Sequence, residues 1–213
     1  MRRCSLFLSV LLALVVTGCS TQSPEGRSPE GEESTAETST AATTEGTSRN
    51  QPMTDAELQS RWWSWARSAP EGQDPVRDAT GRFCAVNQPE LVWFVAGTYG
   101  GTVRRSCRVP ADSPLAGPVV NRITDTAAAC GDFLAEAEGT ASVDGTEITL
   151  RRIEPTGITY ETRSGTVRGF GCGLWLRVPP LSPGKHTLTL RGSSGEFSTE
   201  ARYELTVEPT TKG

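Results

Sequence analysis

Between residues 82 and 208 the chain is cut into short apolar runs by Gly, Pro, Asn and Asp, and this rhythm constrains the fold more than any other feature. The runs are Arg82–Val86, Leu91–Ala96, Val103–Val109 after the turn Gly100-Gly101, and Pro118–Ile123. Ala141–Val143 and Thr146–Ile153 follow, flanking Asp144-Gly145, and then Ile158–Thr162, Leu174–Val178, Lys185–Leu190 and Phe197–Val207. Asp-Gly between two such runs is a strong two-residue hairpin signal. Leu188 and Leu190 alternate with Thr187 and Thr189, and Tyr203, Leu205 and Val207 repeat the two-residue period of a half-buried strand. About nine short strands at this spacing predict an antiparallel β-sandwich rather than an alternating α/β fold.

A helix precedes the strands. Thr54 and Glu57 form a capping-box pair, and the helix is expected to run to about Arg67, before Pro70. At about 100° per residue, Leu58, Trp62 and Trp65 share a face, while Trp63 lies about 140° from Leu58. Ala127–Glu138 reads as a second, shorter helix entered from Asp125 or Thr126. The segment Leu181-Ser182-Pro183-Gly184-Lys185-His186 resembles the entry to the penultimate strand of immunoglobulin-like domains, with His186 where a corner tyrosine often bonds back to the backbone. The expected fold is therefore mainly β: an antiparallel immunoglobulin-like β-sandwich with one N-terminal helix, a second short helix and two disulfides.

Residues 1–18 have the layout of an export leader, with Arg2 and Arg3 ahead of an apolar run from Leu6 to Val16. That run is too short to span a bilayer, which takes about 20 apolar residues. Val16-Thr17-Gly18-Cys19 resembles the lipobox of bacterial lipoproteins. The resemblance implies that Cys19 carries acyl chains, palmitate among them, and becomes the mature N-terminus. Stable anchoring needs more than one acyl chain. The expected location is the extracellular face of the plasma membrane, lipid-anchored through Cys19, and Cys4 falls on the discarded side.

Cys84, Cys107, Cys130 and Cys172 remain, an even number in an exported chain, which reads as disulfides. Three connectivities are open; the sequential pairing Cys84–Cys107 and Cys130–Cys172 is the expectation. Zinc is disfavoured, because no cysteine pair has structural-zinc spacing and His186 is the only histidine. Without Arg2 and Arg3, 19 basic residues face 25 acidic ones, a net charge of −6, which argues against nucleic acid as a partner. Nineteen of the 21 basic residues of the whole chain are arginine, a bias suggesting a GC-rich genome.

Residues 19–51 are the lipidated N-terminus and a tether of Ser, Thr, Glu, Gly, Pro and Ala with no large apolar side chain, a composition that predicts disorder. As a coil it would span on the order of 30 Å. Residues 52–208 are expected to form one β-sandwich domain, and 209–213 a flexible tail.

No motif assembles a reaction, and no cofactor is implied. His186 lacks a nucleophile-elbow motif, so a corner role is expected, with a hydrolase using His186 as the remote alternative. Gly169-Phe170-Gly171-Cys172-Gly173 lacks the helix and lysine of a phosphate loop and reads as a bulge or bend. Asp74 and Asp78 lack calcium-loop spacing and read as turn residues. Arg104, Arg105 and Arg108 read as a solvated strand face with cross-strand ion pairs. Trp62, Trp65, Trp93 and Trp175 are expected in the core. Trp63, off the apolar face, is the expected ligand contact, since exposed aromatics enrich binding patches.

Trp62-Trp63-Ser64-Trp65-Ala66, Asp74-Pro75-Val76, Asn87-Gln88-Pro89, Val92-Trp93-Phe94-Val95-Ala96-Gly97-Thr98, Arg105-Ser106-Cys107 and Gly171-Cys172-Gly173-Leu174-Trp175 together resemble a group of actinobacterial exported proteins labelled signal proteins or lipoproteins. The resemblance spans Trp62 to Val207. It implies export and a shared compact domain, but no activity. The expected function is a non-catalytic binding or envelope-interaction module, its partner a cell-wall polymer or an envelope protein. A carbohydrate-binding module with Trp63 as platform is the main alternative.

Overall fold

The computed structural model describes residues 53–209; the leader, Cys19, the tether and residues 210–213 lie outside the described residues. The described chain is mainly β, with two helices and nine strands in two sheets. Helix α1 (Asp55–Ser68) opens on the capping box read from the sequence. The Thr54 hydroxyl accepts the Glu57 N–H at 3.2 Å, and the Glu57 carboxylate accepts the Thr54 N–H at 2.8 Å.

One sheet has the order β1 (Trp93–Phe94), β3 (Leu115–Thr124), β7 (Gly165–Val178), β6 (Arg151–Thr162). The other runs β2 (Gly101–Pro110), β9 (Phe197–Glu208), β8 (Gly184–Ser194), β4 (Ala137–Val143), β5 (Thr146–Glu147). Helix α2 (Ala127–Ala135) links β3 to β4 across the two sheets, with Thr126 as its N-cap. The sheets are not wholly antiparallel: β1 pairs with β3, and β2 with β9, in parallel. Both parallel strands belong to the stretch that crosses from one sheet to the other through residues 95–100, so each docks along an edge rather than folding back in a hairpin.

Alternation sorts the buried side chains into two cores. Trp93, Val95, Leu115, Leu176 and Val178 meet Val109, Leu188, Leu190, Tyr203 and Leu205 between the sheets. Phe94, Ala116, Ile153, Ile158 and Trp175 face the other way, where Leu58, Trp62 and Trp65 of α1 cover them. The helix is thus a third layer, and its buried tryptophans are large side chains packed against the sheet. The Trp62 ring lies edge-on to Trp175 at 5.8 Å, and its Nε1–H donates to the Val95 carbonyl at 2.9 Å.

The sequential disulfides are present, Cys84–Cys107 and Cys130–Cys172. The first ties the turn-rich segment after α1 to β2. The second ties α2 to β7 at full burial. Three expected strands are not formed as expected: Thr146–Ile153 is split between β5 and the start of β6, which lie in different sheets, and two others shrink or coil. Arg82–Val86 is a run of turns, and Leu91–Ala96 shrinks to the two residues of β1. The cause is local: the Asp78 carboxylate accepts the N–H groups of Thr80 (2.9 Å) and Phe83 (2.7 Å), and Asn87 sits at φ 52, so the chain coils instead of extending.

The glycine-rich stretch lies inside β7, where it supports close packing. A Cβ at Gly173 would fall 2.4 Å from the Val120 carbonyl oxygen, and at Gly171 2.7 Å from Gln59 Oε1. The register irregularities lie in the neighbouring strands, between Pro118 and Val120 in β3 and between Ile153 and Thr156 in β6.

Candidate functional site

Trp63 is not exposed. Only 8% of it reaches solvent, with its ring edge-on to Trp62 at 5.1 Å and tilted over Tyr160 at 6.0 Å. The expectation that it projects off the apolar face is corrected. Sheet and loop wrap more of α1 than a single apolar stripe would need, and Gln59, one turn earlier, is also fully buried. All five tryptophans are buried, so the exposed aromatic row that a sugar platform requires is not built from tryptophan.

Trp63 nevertheless lines a cleft. Strand β1 pairs with only Leu115 and Ala116, so from Gly117 onward β3 has no strand on that edge. A cleft of about 260 Å³ opens beside it. Its walls include Trp62 and Trp63 of α1, Phe133 of α2, Tyr99 from the loop after β1, and Phe197 at the start of β9. Tyr99 and Phe197 are 43% and 38% exposed, two of the four exposed large hydrophobic side chains among the described residues. Asn121 and Arg122 supply the polar side of the cleft. Trp63 Nε1 and Asn121 Nδ2 are buried donors with no hydrogen-bond partner among the described residues. The cleft hydroxyls of Ser194 and Thr199 are already engaged, with the Phe133 carbonyl and the Thr98 N–H. Sequence alone missed the cleft, because its aromatics come from four separate segments.

His186 sits elsewhere. It faces Leu205 in the β8–β9 register, whereas the cleft residues Ser194 and Phe197 face each other at the far end of the same strand pair. Eight residues at about 3.3 Å each separate the two ends by about 26 Å. His186 Nδ1 lies 2.7 Å from an Asp144 carboxylate oxygen, and Nε2 lies 2.9 Å from the Ser182 carbonyl oxygen and 3.5 Å from its hydroxyl. Serine, histidine and aspartate are thus together, but the roles are wrong for a base. A carbonyl only accepts, so Nε2 carries a proton. The Asp144 carboxyl is held below its usual range by the Thr187 N–H and then by His186, which favours a proton on Nδ1 as well. The Asp144 bond, reinforced by the Ser182 carbonyl against a smaller opposing effect of burial, raises the imidazole pKa. The protonated ring that these contacts favour cannot take a proton from Ser182. The cluster is a corner that fastens the Asp144-Gly145 turn to β8, the role expected of His186.

Other expected sites resolve into structure. Asp74 accepts the N–H groups of Val76 and Arg77, as a turn residue does. Burial pushes the Asp78 carboxyl up, and the bonds from Phe83 and Thr80 outweigh it and hold the pKa low. Among the described residues no group of three or more His, Cys, Asp or Glu could hold a metal ion. Arg104 and Arg108 make the expected exposed cross-strand pairs, with Glu204 and Glu208. Arg105 does not: it is 1% exposed and donates to the carbonyls of Asp78 (2.6 Å), Ala96 (2.7 Å) and Val76 (2.8 Å) and to the Tyr203 hydroxyl (2.5 Å). The two-residue alternation of β2 puts it on the inner face with Cys107 and Val109.

No family model matches the chain, and no curated protein is similar to it by sequence comparison.

Proposed function

We propose that this chain is a lipid-anchored, non-catalytic binding module on the extracellular face of the plasma membrane, and that the aromatic cleft beside β3 is its recognition site. The observation that carries the reading is the pair Tyr99 and Phe197, both well exposed and both in the wall of one concave, largely apolar space. Concave apolar sites with a few polar groups are where small ligands bind. Exposed aromatics grouped in one place mark interaction sites more than scattered ones do. The lipobox-like leader and the acidic tether suit a domain held out from the membrane. The volume fits a small molecule, or one terminal group of a wall polymer or envelope protein.

Trp62 and Trp63 line the cleft, so intrinsic fluorescence reports on it directly. The mature polypeptide, residues 19–213 without acyl groups, should show a saturable fluorescence change with one class in a panel of wall oligosaccharides, amphiphiles and envelope peptides. Phe197→Ala, at a half-exposed position, should weaken it at least tenfold. A flat response across the panel, or a saturable one indifferent to Phe197→Ala, sinks the assignment of the cleft.

A further inference from the structure

The chemistry of the cleft wall selects among ligands. The wall contains donors and a cation but no carboxylate side chain. Arg122 stands exposed at its edge and makes no ion pair with any described residue. The two covered donors without partners, Trp63 Nε1 and Asn121 Nδ2, belong to residues of the same wall. Buried donors cost free energy until they are paired. A sugar offers hydroxyls that donate as well as accept, but it has no charge to set against Arg122. A carboxylate only accepts. The rest of the wall is aromatic and aliphatic and takes an apolar body. Strand addition by a peptide is opposed by the edge itself: Pro118 removes a donor from it, and the register of β3 shifts between Pro118 and Val120.

We infer that the cleft takes a small anionic amphiphile, with the apolar body against Tyr99, Phe133 and Phe197 and the carboxylate toward Arg122 and Asn121. This rests on the cleft being the recognition site. Charge complementarity at Arg122 gives the sign of the ligand, and the cleft volume gives its size.

Three probes of equal chain length separate the possibilities: decanoate, 1-decanol and decylammonium, titrated below their aggregation limits into the mature polypeptide. Decanoate should bind at least tenfold more tightly than decanol, as a charge-assisted bond implies. Arg122→Gln should remove that advantage and leave decanol binding unchanged. Phe197→Ala should weaken both. Decanol binding as tightly as decanoate, with both lost in Phe197→Ala, overturns the anion assignment and keeps the cleft as a site. Tighter binding of decylammonium overturns it as well. No binding of any probe overturns the anion assignment and the cleft together.

Discussion

Arg105 is the residue on which two otherwise unrelated segments converge. Its guanidinium holds the carbonyls of Val76 and Asp78 from the turn segment and that of Ala96, two residues past β1. Tyr203 completes the group: its hydroxyl accepts from Ala96 N–H and Arg105 and donates to the Ala96 carbonyl. No carboxylate neutralises the charge, so the acceptors around it must carry the whole cost of its burial. Removing the side chain strands several of them at once, at ~1–3 kcal/mol for each left unpaired. Arg105→Met is expected to destabilise the domain by about 3 kcal/mol or more, and Tyr203→Phe by about 1–2 kcal/mol. Urea unfolding of both variants checks this. An Arg105→Met chain as stable as the parent would mean that the cation contributes nothing net. The burial is legible in the sequence, because parity along β2 aligns Arg105 with Cys107 and Val109, although arginine is rarely found fully buried.

At the scale of elements, local chemistry read true and long-range docking did not. The capping box of α1, the N-cap of α2 and the Asp144-Gly145 turn depend on neighbours in sequence, and each forms where the residues place it. Strand β1 is short because Asp78 and Asn87 coil the preceding segment, and β1 and β2 lie parallel because the chain changes sheets between them. The first has a local cause in turn residues; the second has no local signature. The hairpin corner also carries a pH dependence. The raised imidazole pKa of His186 means that its contribution is fully present below the ordinary value of 6.5 and is lost as pH rises through the folded value. Asp144, held below 3.8, contributes above that value and loses the contribution as pH falls. The corner is therefore firmest between the two. Asp144 is half exposed, which limits the effect to about 1 kcal/mol or less. The stability difference between parent and His186→Gln, from urea midpoints, should be greatest near pH 5–6 and shrink toward pH 9. A difference that grows with pH would contradict the imidazolium assignment.

For the whole molecule the question is what holds it in place. Among the described residues no helix is long and apolar enough to cross a membrane. Four cysteines are spent on the two disulfides, one of them wholly buried, which leaves Cys4 and Cys19 as the thiols open to acylation. The two differ in setting. Cys4 follows the basic residues at the start of the leader, while Cys19 closes Val16-Thr17-Gly18, where small residues suit a processing enzyme. If Cys19 is the anchor, cells fed labelled palmitate should label the parent chain and a Cys4→Ser variant equally and leave Cys19→Ser unlabelled. The parent should partition with membranes through salt washing, since acyl chains buried in a bilayer are indifferent to ionic strength while an attraction between charges is screened. Label retained in Cys19→Ser, or release of the parent by salt alone, would remove the lipid anchor and with it the reason to place this domain on the outer face of the membrane.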